Sequence, residues 1–135
     1  MKKLLSRLSL LFAVSVLLFG IDCAFAEEVA PAKKPSQFVY VLKLVPRLHD
    51  DKAWTEQDNQ TIGRHFEHLK QAAATGKVVL AGRTQESGDK TFGIVIFEAE
   101  SESAAKDFMN ADPAVVDGVM TATAHPFAVA LQRKQ

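Results

Sequence analysis

One cysteine, Cys23, occurs in the 135 residues, and 16 basic residues stand against 16 acidic ones, so the chain has no excess of either charge. The basic residues are scattered and no aromatics interleave with them, which excludes the electrostatic footprint of a nucleic-acid-binding protein. No run is long and apolar enough to span a bilayer, which takes about 20 residues; the longest, Leu8 to Gly20, falls short. Internal repeats and low-complexity tracts are also absent.

The apolar run makes sense as part of a secretory signal. Lys2, Lys3 and Arg7 precede it, and Ala24-Phe25-Ala26 follows with small residues at the two positions read by a signal peptidase. Asp22 abuts the cysteine, which fits a lipoprotein site poorly. Cleavage is therefore expected after Ala26, giving a periplasmic or secreted protein with no membrane segment left. Removal of residues 1–26 takes three of the 16 basic and one of the 16 acidic residues, leaving 13 against 15. It also removes Cys23, so the mature chain would have no disulfide, thiol nucleophile or thiolate ligand. In an oxidising compartment its stability must then come from its core alone.

Residues 27–36, with Pro31, Pro35, Lys33 and Lys34, show no apolar period and read as a flexible leader. The remaining stretch, 37–135, suits one small domain. "FVYVLKLV" (38–45), stopped by Pro46, predicts a buried strand, followed by a polar loop to Trp54. A helix is expected from about Thr55 or Asp58, with Ile62, Phe66, Leu69 and Ala73 as its buried stripe and Gly76 as its terminal cap. "KVVLAG" (77–82) and "TFGIVIFEA" (91–99) predict two more strands, with the reversal between them at Gly88-Asp89. Ser101 is placed to cap a second helix with Ala104, Ala105 and Phe108 inside, ended by Asp112-Pro113. A last strand is expected from Met120, interrupted at Pro126 and resuming through "FAVAL".

The order β-α-β-β-α-β predicts an α+β, ferredoxin-like domain, with two helices on one face of an antiparallel sheet. Strands one and three carry apolar residues at both parities, so the second face also wants to be dry. A homodimer built sheet against sheet is the expected arrangement.

The first helix carries two histidines. Relative to the stripe of Ile62, Phe66, Leu69 and Ala73, His65 is turned by roughly 70° and His68 by roughly 130°, at about 100° per residue. His65 is thus expected at the border of the buried face, and His68 in solvent. A border histidine can finish the edge of a core with its polar tip wet, or it can be held by a neighbour with one nitrogen left for proton transfer. Position alone leaves both readings open. No metal site is assigned, since a His-x-x-His pair without a further carboxylate or cysteine at telling spacing makes a poor ligand set.

"HFEHLKQAAATGKVVLAG", "FEAESESAAKDFMNADPAVVDGV" and the closing "HPF" resemble the YciI-like (YCII-related) family, small proteins of the dimeric α+β barrel superfamily. The resemblance rests on His65 eleven residues before Gly76 and followed by "LAG", on Asp112-Pro113 with Gly118 after it, and on Pro126-Phe127. It implies a dyad of His65 and Asp112 in a pocket, in which the carboxylate orients the imidazole and stabilises its protonated form. It further implies a cofactor-independent lyase- or isomerase-like enzyme acting on a small cyclic or aromatic compound. The alternative is a non-catalytic ligand-binding or structural homodimer; haem binding is a third implication. Against the resemblance, Asp112 also reads simply as a turn cap. Arg83 stands where members commonly have a proline, and it is a candidate for binding an anionic substrate, with a solvated surface arginine as its plain reading. His125, beside Pro126-Phe127, is a second substrate-binding candidate, with a position on the last strand as its plain reading.

Overall fold

The computed structural model describes residues 36–132. The expected signal segment, its cleavage point and all of the expected leader but Ser36 lie outside the described residues.

Four strands and three helices follow in the order β1 (Ser36–Leu44), α1 (Glu56–Ala74), β2 (Val78–Arg83), β3 (Phe92–Ala99), α2 (Glu102–Asn110), α3 (Pro113–Val116) and β4 (Met120–Pro126). The sheet is fully antiparallel in the order β2-β3-β1-β4, so the domain is a ferredoxin-like α+β fold. Ser36, expected in the leader, is the first residue of β1.

The caps fall where the sequence places them, because short polar side chains there satisfy amides that the first helical turn leaves open. Thr55 and Asp58 form a reciprocal capping box on α1, and Ser101 accepts from the Ala104 amide at the start of α2. Gly76, at φ 80°, closes α1 in a Schellman turn, with the Lys77 amide bonded to the Ala72 carbonyl at 2.9 Å. Gly118, at φ 69°, closes α3 in the same way through the Val119 amide and the Ala114 carbonyl at 3.0 Å.

Phe38, Tyr40 and Leu42 of β1 and Val95, Phe97 and Ala99 of β3 alternate onto one face. There they pack with Leu69 and Ala72 of α1 and with Ala105 and Met109 of α2. Val39, Val41, Ile94 and Ile96 alternate onto the other face and are half-buried. The stretch expected as a polar loop instead forms 3-10 turns at Pro46–His49 and Asp51–Ala53. These bury Leu48 to 1% exposure, and its carbonyl accepts from the Trp54 indole at 3.1 Å.

Three further expectations need correction. The buried line of α1 is Asp58, Thr61, Leu69 and Ala72, not the apolar stripe: Phe66 is 63% exposed and Ala73 is also exposed. His68 does not point into solvent; its ring stacks on Phe108 at 5.2 Å and its Nε2 is buried with no hydrogen-bond partner among the described residues. The last strand does not resume after Pro126. The Phe127 and Val129 amides bond instead to the backbone and side-chain oxygens of Gln37, at 2.9 and 2.8 Å.

Candidate functional site

Redrawing the buried face of α1 moves His65. At about 100° per residue, the line through Asp58, Thr61, Leu69 and Ala72 centres close to the direction of His65, which was expected at a border. A line of this composition stays buried only because each polar member has a partner. Asp58 is held by Arg47 at 3.0 and 2.5 Å and by the Thr55 cap, which together hold its carboxyl well below its usual range. The Thr61 hydroxyl donates to Asp117 at 2.8 Å, and Arg64 binds the same carboxylate.

The partner of His65 is Asp112, 47 residues away: its Nδ1 lies 2.7 Å from Oδ1 and 2.9 Å from Oδ2. The Asp-Pro step sets this position. Pro113 opens α3 with its φ already helical and with no amide to satisfy, and Asp112 is the N-cap, accepting from the Ala114 amide at 2.9 Å. The same carboxylate therefore caps a helix and holds an imidazole. From the sheet, the Tyr40 hydroxyl donates to Oδ2 at 2.8 Å. Tyr40 and Asp112 are both fully buried.

Burial pushes the Asp112 carboxyl up, but the bond and charge of His65, the Ala114 amide and the Tyr40 hydroxyl outweigh it and hold the group below 3.8. Asp112 is thus ionised at neutral pH and can only accept, so His65 Nδ1 carries the proton in the contact. Burial, the Asp112 charge and the hydrogen bond that the hydroxyl donates to Asp112 push the Tyr40 phenol far up, so it remains a fixed donor.

His65 Nε2 has no hydrogen bond among the described residues. The ring, with its side chain 14% exposed, lines a cavity of about 620 Å³ between α1 and the β2 side of the sheet. Ile62, Phe66 and Ala73, the residues of the expected stripe that α1 does not bury in the core, form the helix wall together with Leu69. Leu42, Gly93 and Val95 belong to the sheet wall. Besides the imidazole of His65, the lining has two basic side chains, Lys70 and Arg83, and no carboxylate among the described residues. A neutral imidazole so placed can take a proton from a bound molecule through Nε2 while the carboxylate behind it stabilises the resulting charge.

Of the four site candidates, His65 and Asp112 are in contact and Arg83 is on the wall of the same cavity. His125 is not brought there. It pairs with Val39 in the β1/β4 register and so shares the outward parity of Val39, Val41 and Thr123, across the sheet from the helices. Tyr40 was not singled out in the sequence. The signal was its alternation with Phe38 and Leu42, which aims it at the helices, where a phenol needs an acceptor. Among the described residues there is no cluster of three or more His, Cys, Asp or Glu side chains able to hold a metal ion.

No curated protein matches the chain. A solved structure similar to it is that of the 5-chloro-2-hydroxyhydroquinone dehydrochlorinase of Burkholderia phenoliruptrix AC1100, in complex with 2,5-dihydroxybenzoquinone. The two are 21% identical with a TM-score of 0.48, over 68% of this chain and 93% of that one. The YCII-related domain matches residues 42–124, a span that holds both His65 and Asp112. With more than half of its length in that match, the chain belongs to the YCII-related domain family.

Proposed function

We propose that the protein is a cofactor-independent acid–base catalyst of lyase or isomerase type, acting on a small cyclic or aromatic compound. The observation that carries this reading is the 2.7 Å contact of His65 Nδ1 with a buried, ionised Asp112, on a ring that lines a cavity. In the proposed step, Nε2 accepts a proton from the substrate as the electron pair of that bond moves into the substrate. The imidazolium, stabilised by Asp112, then returns the proton to a different substrate atom or to the departing group. Tyr40 and the Ala114 amide do not touch the substrate; they keep the carboxylate ionised and aligned. The test is a screen of small lactones and chlorinated phenolics with the wild type, His65→Ala and Asp112→Ala. Turnover abolished in both variants supports the dyad, and turnover that survives in both removes it from the mechanism.

A second reading is favoured by one observation, the capping of α3 by Asp112. In this reading the pair is a structural clasp and the protein a non-catalytic ligand-binding or structural dimer. It predicts that no compound is turned over and that both alanine variants lose stability rather than activity.

The proposal includes a homodimer through the half-buried apolar face of Val39, Val41, Ile94 and Ile96, since a contiguous apolar sheet face needs a cover. Light scattering after size-exclusion chromatography at micromolar concentration tests it, and a stable monomer would reject it. The site of action proposed is the periplasm or the exterior, after cleavage following Ala26. Mass spectrometry of the exported chain reads the new terminus directly.

A further inference from the structure

We propose that the cavity recognises an anion with a flat apolar body, whose negative group is held by Arg83 and whose body lies over Gly93; this rests on the acid–base reading for the identity of the site. Three observations lead to it. The first is the sign of the charges: among the described residues the lining holds Lys70 and Arg83 and no carboxylate, while Asp112 is fully buried behind His65 and already paired. Lys70 is engaged with Glu67 at 3.2 Å, whereas Arg83 has no ion-pair partner among the described residues. An arginine in the lining of a mostly apolar hollow is suited to a carboxylate or phenolate, which its guanidinium can bind through two parallel N–H bonds.

The second observation is the row across the sheet. Arg83 pairs with Gly93, and Gly93 pairs with Leu42, so the three share the helix-facing side at one level. At about 4.8 Å between strands, the Arg83 and Leu42 backbones are about 10 Å apart. The strand between them has no side chain at that level. A Cβ placed on Gly93 would meet Leu42 Cβ and Cδ1 at 3.5 Å, an ordinary contact, so the glycine is not required to prevent a clash with Leu42. Its effect is to leave the floor one side chain lower beside Arg83, bordered at 3.5 Å by the Leu42 side chain and the Gly82 carbonyl.

The third is the opposite wall. Ile62, Phe66 and Leu69 of α1 face this floor across the cavity, and Phe66 is 63% exposed. An apolar slot with a cation at one end and an imidazole in its wall selects a molecule with an apolar body and one anionic end. Compounds of like shape without the negative charge lack a partner for Arg83.

The probes are benzoate, the isosteric neutral benzamide and the cationic benzylammonium, titrated into isotopically labelled protein and followed by NMR. Benzoate is expected to shift the Gly93, Phe66 and Leu69 resonances saturably. Benzamide should bind about tenfold or more weakly, in line with the loss of one charge-assisted contact, and benzylammonium should give no saturable shift. Arg83→Gln should weaken benzoate by about tenfold and leave benzamide within about twofold; Gly93→Val should block both while the remaining spectrum stays folded. Equal binding of benzoate and benzamide, benzoate binding unchanged by Arg83→Gln, or no saturable shift with benzoate would each overturn the proposal. Binding of benzoate involves no proton transfer by His65, so failure here leaves the dyad standing, and an inert dyad leaves anion recognition standing.

Discussion

Replacing Tyr40 by Phe removes one hydroxyl from the centre of the account and little else. The ring packs edge-on against Phe97 at 5.5 Å and Phe108 at 6.2 Å, contacts that Phe keeps, while the hydroxyl makes one bond, to Asp112 Oδ2 at 2.8 Å. A hydrogen bond to an ionised acceptor contributes about 1.5–3 kcal/mol net, so the variant should be less stable by that amount at pH 7. With a urea slope of about 1.5 kcal/mol/M, the midpoint falls by about 1–2 M. The carboxylate keeps two donors, His65 and the Ala114 amide, which argues for a shifted midpoint rather than a lost fold. Fluorescence of Trp54, the single tryptophan, provides the readout at a fixed protomer concentration. The deficit should also depend on pH. Below both the folded and unfolded pKa of Asp112 the acceptor is neutral in both states, and the difference should shrink to about 1 kcal/mol. A deficit under about 0.5 kcal/mol at pH 7, or one that does not shrink once the pH is below the folded pKa of Asp112, would refute the picture of a phenol donating to an ionised carboxylate.

Further outcomes follow from the same structure. Asp112 and Asp58 have folded pKa values below their unfolded 3.8, so they contribute stability that is full above that value and is lost as pH falls through the folded ones; urea midpoints should be flat from about pH 6 to 5 as far as these carboxylates are concerned and should drop below about pH 4. Leu48→Ala empties a site that is 1% exposed and should cost about 2–4 kcal/mol by denaturation, whereas a true polar loop would lose almost nothing. His68→Phe keeps the stack on Phe108 and removes a buried nitrogen with no partner, so it should be neutral or stabilising; a loss above about 1 kcal/mol would mean that Nε2 does have a partner. Gly118→Ala meets no atom within 4 Å but must adopt a φ of 69°, and should cost about 1 kcal/mol from backbone strain alone.

Local chemistry made the elements legible: the β-branched runs that became β1 and β3, the caps at Thr55 and Ser101, and the glycine after α1 all act over a few residues. The face of α1 did not follow the same logic. Apolar residues at helical spacing, Ile62, Phe66 and Ala73, marked the wall of a cavity, while the core line includes polar Asp58 and Thr61 and centres on the direction of His65. The two lines lie roughly 80° apart around the helix at about 100° per residue. What makes the polar line tolerable is distant in the chain for Thr61 and His65, whose partners Asp117 and Asp112 are 56 and 47 residues away. Periodicity reports where apolar side chains recur and contains nothing about such pairings. For the same reason, the dyad entered the sequence reading only through family resemblance, and Tyr40 entered it only as a residue of the first strand. The outward parity of His125 was readable in principle, since it follows from the β1/β4 register, but the register itself is fixed only when the strands are paired.

Acid–base work by this site requires His65 to present an unprotonated Nε2 to the cavity, with the proton fixed on Nδ1 by Asp112. Long-range ¹H–¹⁵N correlation spectra of the imidazole, recorded where the ring is neutral, read that tautomer directly. The expected result for His65 is a protonated Nδ1 and a bare Nε2. A proton on Nε2, or the tautomer mixture of a free histidine, would overturn the dyad.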